Sequence, residues 1–158
     1  VAEITDYIAP RTGRFFVQVT VSGTQRTVTY ELDALGLGGI DLSPTDFVIG
    51  PGTYAPGNEI RFGFNLNNSG TDTAVVPSYV VYFGDSAAPD AANDTMLGTF
   101  AATDVAGNSS LPVSNRAFVP AGATTATHYL HLIVDPSDLF TDTNRANNTI
   151  TIPISVAP

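Results

Sequence analysis

The chain has 158 residues, enough for one domain or for one domain and part of a neighbour. Its hydrophobic share is 43% and its charged share only 13%, with 14 Gly and 11 Pro. With abundant Thr, Val, Ile, Phe and Tyr, that balance describes an all-β chain rather than a disordered one. The formal charge is −9, from 15 acidic residues against six Arg, and there is no Lys and no Cys. This excludes the basic stripe of a nucleic-acid binder, Lys-based covalent chemistry, thiolate metal sites, Cys nucleophiles and disulfides.

An acidic, Lys-free surface suits a secreted protein of salty surroundings, where ions screen its self-repulsion; a genome-wide amino-acid bias would give the same composition. No apolar run is long enough to span a membrane as a helix. The chain opens on Val1 with no signal-peptide pattern, so a mature fragment or an excised domain is expected. A small extracellular β-domain without cysteine points to a bacterial source and a location outside the cytoplasm.

In chain order, strict alternation marks the strands. RFFVQVTV puts Phe15, Val17, Val19 and Val21 on one face, and RTVTYELD does the same for Val28, Tyr30 and Leu32, so Arg14 to Asp33 reads as a β-hairpin. LGLGGIDLSP, Leu35 to Pro44, is a glycine-rich joint closed by proline. DFVIG (Asp46 to Gly50) opens a second unit, and EIRFGFNLN turns Ile60, Phe62, Phe64 and Leu66 inward. PSYVVYFG is a strand, GDSAAPDAANDT a polar excursion and MLGTF a short strand. DVAGNSSLPVS reads as a loop, and a further strand begins near Asn115. ATHYLHLIVD aligns Leu130, Leu132 and Val134, and NTITIPISV aligns Ile150, Ile152, Ile154 and Val156. Pro153 cannot donate to a ladder, which places that last strand at a sheet edge. About seven short strands with turns between them predict an antiparallel immunoglobulin-like β-sandwich over 44–158, with an additional N-terminal β-hairpin in 1–43.

Two loops are rich in oxygen ligands. DPSDLFTDTNRANNTI, Asp135 to Ile150, fails as an EF-hand in every register: Leu139, Phe140 or Ala146 falls where a ligand is required, and no Glu closes the loop. It reads as a turn in which Asn and Asp side chains bond nearby backbone, with Asn147 and Asn148 as turn-formers and Leu139 and Phe140 anchoring it to the core. The loop Gly84 to Thr95 holds Asp85, Asp90, Asn93 and Asp94. It is either a solvated loop or, if it folds back on itself, a calcium site built on Asp85, Asp90 and Asp94. His128 and His131 stand three apart on a strand and so face opposite sides, one at the margin of the core and the other exposed. No G-x-S-x-G elbow occurs and no His–Asp pairing follows from the spacing, so no catalytic residues are assigned. Tyr54, Tyr79, Tyr82 and Phe16 are candidate exposed aromatics for a sugar platform, or ordinary strand faces.

From Thr45 to Pro158 the order of pieces resembles the CARDB family, the cell-adhesion-related domain of bacteria. PGNEIRFGFNLNNSGTDTA, VVYFGDSAAPDAANDTMLGTF, AFVPAGATTATHYLHLIVDP and FTDTNRANNTITIPISV carry the likeness, and the NNT near the end is its most specific element. The family's acidic pair before NNT is replaced here by Asp142 and Arg145, so no role of a glutamate is carried over. Residues 1–33 more loosely resemble the end of a bacterial pre-peptidase C-terminal domain, in APRTGRFFVQVTVSGTQRTVTYELDAL. The resemblance implies a non-catalytic accessory or adhesion module of a larger secreted or cell-surface protein. It would act as a spacer or as a contact to a substrate, a surface polymer, a protein partner or neighbouring domains. A carbohydrate-binding module of a polysaccharide-degrading enzyme and an accessory domain of a secreted protease are the alternatives.

Overall fold

The computed structural model describes residues 39–158; the expected hairpin and the start of the glycine-rich joint lie outside them. The alternation in EIRFGFNLN makes strand β2 (Glu59–Asn68), with Ile60, Phe62, Phe64 and Leu66 all buried. It pairs antiparallel on one side with β1 (Leu42–Ile49) and on the other with β5 (Ser109–Phe118). A second sheet holds β3 (Ser78–Gly84), β4 (Thr95–Ala101), β6 (Ala126–Val134) and β7 (Thr149–Val156). Its order is β4-β3-β6-β7 and that of the first is β1-β2-β5. Their inner faces form one core. Phe64 meets Tyr79 edge-on at 5.0 Å and Tyr79 stacks on Phe100 at 5.3 Å. Each such buried side chain contributes about 1.5–3 kcal/mol. This is the immunoglobulin-like sandwich that the alternation predicts.

Pro153 lies in β7, opposite Tyr129, and β7 is an edge strand as expected. β5 departs from the reading of DVAGNSSLPVS as a loop, since the strand begins at Ser109. It too is an edge strand, so Pro112 is tolerated there. The half-buried positions of its first eight residues are Ser109, Leu111, Val113 and Asn115, a face too mixed to show as an apolar stripe. Tyr79 is likewise not an exposed aromatic. It is on the inner face of β3, buried, and accepts a hydrogen bond at its hydroxyl from Asn115 Nδ2 at 3.1 Å. Burial pushes the Tyr79 phenol up from its ordinary value, against that hydrogen bond. Tyr54 is half-buried and donates its hydroxyl to Gly50 O at 2.7 Å.

Two polar clusters tie the loops to the sandwich. In NNSG, Asn68 is buried and uses every side-chain bond it has. Nδ2 donates to Asp72 O (2.7 Å) and Val105 O (3.1 Å), while Oδ1 accepts from the N–H groups of Asp41 (3.2 Å) and Gly70 (3.1 Å). A Cβ on Gly70 would lie 1.9 Å from Gly39 O, so only glycine fits beneath that crossing.

The segment after β6 is the second cluster. Asp135, at φ 47°, accepts from Leu139 N (2.9 Å) and Phe140 N (3.1 Å), and from Arg145 Nη2 (2.6 Å), which also pairs with Asp138. Asp142 accepts from Leu42 N (3.0 Å), Asn144 N (2.8 Å) and Asn148 Nδ2 (3.1 Å). Asn147 Nδ2 reaches Asp41 Oδ1 at 2.9 Å, and a one-turn 3-10 helix, Arg145–Asn147, leads into β7. The stretch is thus a turn stitched by its own Asx side chains and to the start of β1. Phe140 packs on the core as expected, but Leu139 is exposed, because the loop is held by hydrogen bonds and not by that side chain.

Candidate functional site

The segment joining β3 to β4 and the one joining β5 to β6 line a pocket of about 440 Å³. Asp85, Asp90 and Asp94 all border it, with His128 and Phe83. The loop folds back so that Asp94 Oδ1 stands 2.1 Å from where a Cβ on Gly84 would lie. The three carboxylates converge on the pocket but not on one another. Asp85 Oδ1 lies 2.6 Å from His128 Nδ1. Asp90 accepts from Ala92 N (3.1 Å) and Asn93 Nδ2 (2.6 Å), and Asp94 Oδ2 accepts from Asp90 N (2.7 Å). The Asn93 amide first, and then the Ala92 N–H, hold the Asp90 carboxyl below the ordinary aspartate range.

His128 is on the inner side of β6, buried, with its ring 4.5 Å from that of Phe83. Its Nε2 is 2.8 Å from Thr124 O, so both nitrogens are occupied and neither is free to ligate an ion or relay a proton. His131, on the opposite face of β6, is 0% exposed, which corrects the expectation of an exposed second histidine. The returning loop covers it: Asp94 Oδ2 lies 3.6 Å from Nε2, and Nδ1 is 2.8 Å from Thr151 Oγ1. Hydroxyl, imidazole and carboxylate therefore stand in a row, but the imidazole is sealed from solvent and the carboxylate is beyond hydrogen-bond reach. That arrangement is structural. Spacing along the chain did not reveal either His–Asp contact, although the glycine before an Asp-rich loop was the available signal.

Among the described residues, no group of three or more His, Asp or Glu side chains is placed to hold a metal ion. Asp85, Asp90 and Asp94 hold separate partners, so a calcium ion would have to draw the three carboxylates together. We therefore expect millimolar calcium to raise the melting temperature no more than magnesium at equal ionic strength. A calcium-specific rise that disappears in the variant carrying Asp90→Ala and Asp94→Ala would show that the loop rearranges into a site.

Among the described residues no helix is long and apolar enough to cross a membrane. The chain is similar to the CARDB domain of a Pyrococcus furiosus protein solved in complex with di-metal ions. The two are 15% identical, with a TM-score of 0.58 over 75% of this chain and 94% of that one. It is also similar to a domain of a Methanosarcina acetivorans protein whose name is that of a cell surface protein, at 18% identity and a TM-score of 0.53, over 75% and 92% of the chains. β-Glucosidase 3B of Thermotoga neapolitana is similar at 12% identity and a TM-score of 0.50, over 75% of this chain but only 16% of that enzyme. At such identities the likeness speaks for the fold alone. Among curated proteins no sequence matches the chain. The CARDB family model matches residues 39–152, and with the seven-stranded sandwich built on that same stretch, the chain belongs to the CARDB family.

Proposed function

We propose that the chain is a non-catalytic accessory module of a larger secreted or cell-surface bacterial protein, serving as a spacer or as a contact to a substrate, surface polymer or protein partner. The observation that carries this reading is the fate of the two histidines. His128 has both ring nitrogens against oxygens of its own fold, and His131 is sealed from solvent behind Asp94, so neither imidazole is offered to a substrate bound in the pocket. General acid–base or nucleophilic work needs such a group within reach of the reacting atom. The named cell surface protein among the similar structures is in keeping with a place outside the cell. A glycan array and a panel of immobilised surface polymers and proteins, probed with the whole chain, test the contact role. Saturable retention on at least one class of ligand is expected. Retention on none of them leaves only the spacer role.

A further inference from the structure

The outer face of the three-stranded sheet carries a gap that the fold does not require. Gly63 sits inside β2, opposite Val48 of β1 and Ser114 of β5. A Cβ built on it would meet Val113 O at 3.5 Å and Ser114 Oγ at 3.6 Å, ordinary contact distances, and its φ is not left-handed. Glycine inside a strand weakens it, and often marks a place where something approaches the backbone closely. Gly63 lies in a shallow, open trough of about 750 Å³ that is also lined by Val48, which is 60% exposed.

Arg61 and Arg116 also line the trough and face each other in register across β2 and β5. They share one carboxylate. Arg61 Nε is 2.7 Å from Glu59 Oε1, and Arg116 Nη1 is 3.2 Å from Oε2. The Arg61 hydrogen bond, with Arg116 adding to it, holds the Glu59 carboxyl below the ordinary glutamate range. A guanidinium has five N–H donors, so most of those on this pair remain directed to solvent. The third described arginine, Arg145, is taken by Asp135 and Asp138. In a chain of net charge −9, this pair is a local excess of positive charge beside a ring-sized gap.

We propose that this trough binds a carboxylate-bearing sugar, a uronate unit of an acidic polysaccharide. The planar guanidinium forks match the carboxylate. The sugar ring lies over Gly63 with its C–H face against Val48 and a hydroxyl toward Ser114. A peptide added as a strand would sit at the free edge of β1 or β5 and not over Gly63, because β2 is paired on both sides. The overall negative charge limits contact to a short stretch of polyanion, since repulsion from the rest of the surface is screened only beyond about 8 Å at physiological salt.

This rests on the contact reading above, and the test separates the two. The whole chain is titrated calorimetrically with an oligogalacturonate, with its methyl ester, and with polyglutamate. Saturable binding of the oligogalacturonate is expected, with the ester and polyglutamate at least tenfold weaker. Arg61→Gln combined with Arg116→Gln should weaken it at least tenfold at an unchanged melting temperature. Gly63→Thr keeps both arginines and fills the gap, so it should hold or raise the melting temperature and still weaken binding at least tenfold. Absence of saturable binding, equal binding of polyglutamate, or binding that Gly63→Thr leaves intact would overturn the site. Absence of oligogalacturonate binding together with retention of the chain on some other polymer would remove the site while leaving the contact role standing.

Discussion

Asn68→Ala is expected to destabilise the sandwich by about 3–5 kcal/mol. The side chain is 1% exposed and joins four backbone groups from three segments: the N–H of Asp41 and of Gly70, and the carbonyls of Asp72 and Val105. Alanine leaves these groups unpaired where water reaches them poorly, and each unsatisfied buried group costs about 1–3 kcal/mol. Partial rearrangement of the corner recovers some of that, which sets the estimate below the simple sum. Since domains of this size are stable by only about 5–15 kcal/mol, the variant should be near its unfolding limit. Asn68→Asp keeps the two accepted bonds but sets a buried carboxylate oxygen against the carbonyls of Asp72 and Val105, so it should be no more stable than the alanine variant. Urea unfolding of the three chains checks this. A loss under about 1 kcal/mol for alanine would contradict the role assigned to Asn68.

Asp135→Ala is expected to cost about 3–5 kcal/mol by a different route. Asp135 is 1% exposed, yet its carboxylate accepts from two backbone N–H groups and from Arg145. Removing one partner of a buried ion pair leaves the other charge poorly compensated, a loss of about 3–5 kcal/mol in other folds. Here Arg145 is 36% exposed and keeps Asp138, which softens that term. The residue also sits at φ 47°, a region that alanine occupies at a further cost of about 1–2 kcal/mol. Asparagine tolerates that conformation and keeps an acceptor, so Asp135→Asn should lose roughly half as much. Equal losses for the two variants in thermal melts would rule out the backbone contribution.

The strands were legible wherever a single face was apolar. β2 and β7 alternate in the sequence because one side faces the core, whereas β3 reads as a continuous apolar run, with Tyr79, Val80 and Val81 all buried, and β6 keeps the period in Leu130, Leu132 and Val134. β5 was cut short because its half-buried positions mix Ser, Leu, Val and Asn, and because Pro112 reads as a breaker unless the strand is known to lie at an edge. The same limit applies to the sites. That the Asp135–Ile150 stretch is a turn followed from Asx chemistry alone, since local side-chain to backbone bonds need no tertiary information. Which distant groups those side chains reach did not follow. Asp142 caps Leu42, and Asp41 receives Asn147, across about a hundred positions of chain. His131 shows the sharper failure. Its outward position on β6 predicts exposure, and only the return of the loop over Gly84, with Asp94 beside the ring, buries it. The Arg61–Arg116 pair became visible only with the β2–β5 register, as nothing in the spacing of the two residues links them.

The central claim is that the chain makes contact without chemistry, and a turnover assay tests it most directly. The whole chain, repurified, is incubated with casein and with common polysaccharides, and new amino termini and reducing ends are counted over time. No turnover above a heat-unfolded control is expected, for the wild type as for His128→Ala and His131→Ala. Turnover that persists through repurification and vanishes in either histidine variant would contradict the account.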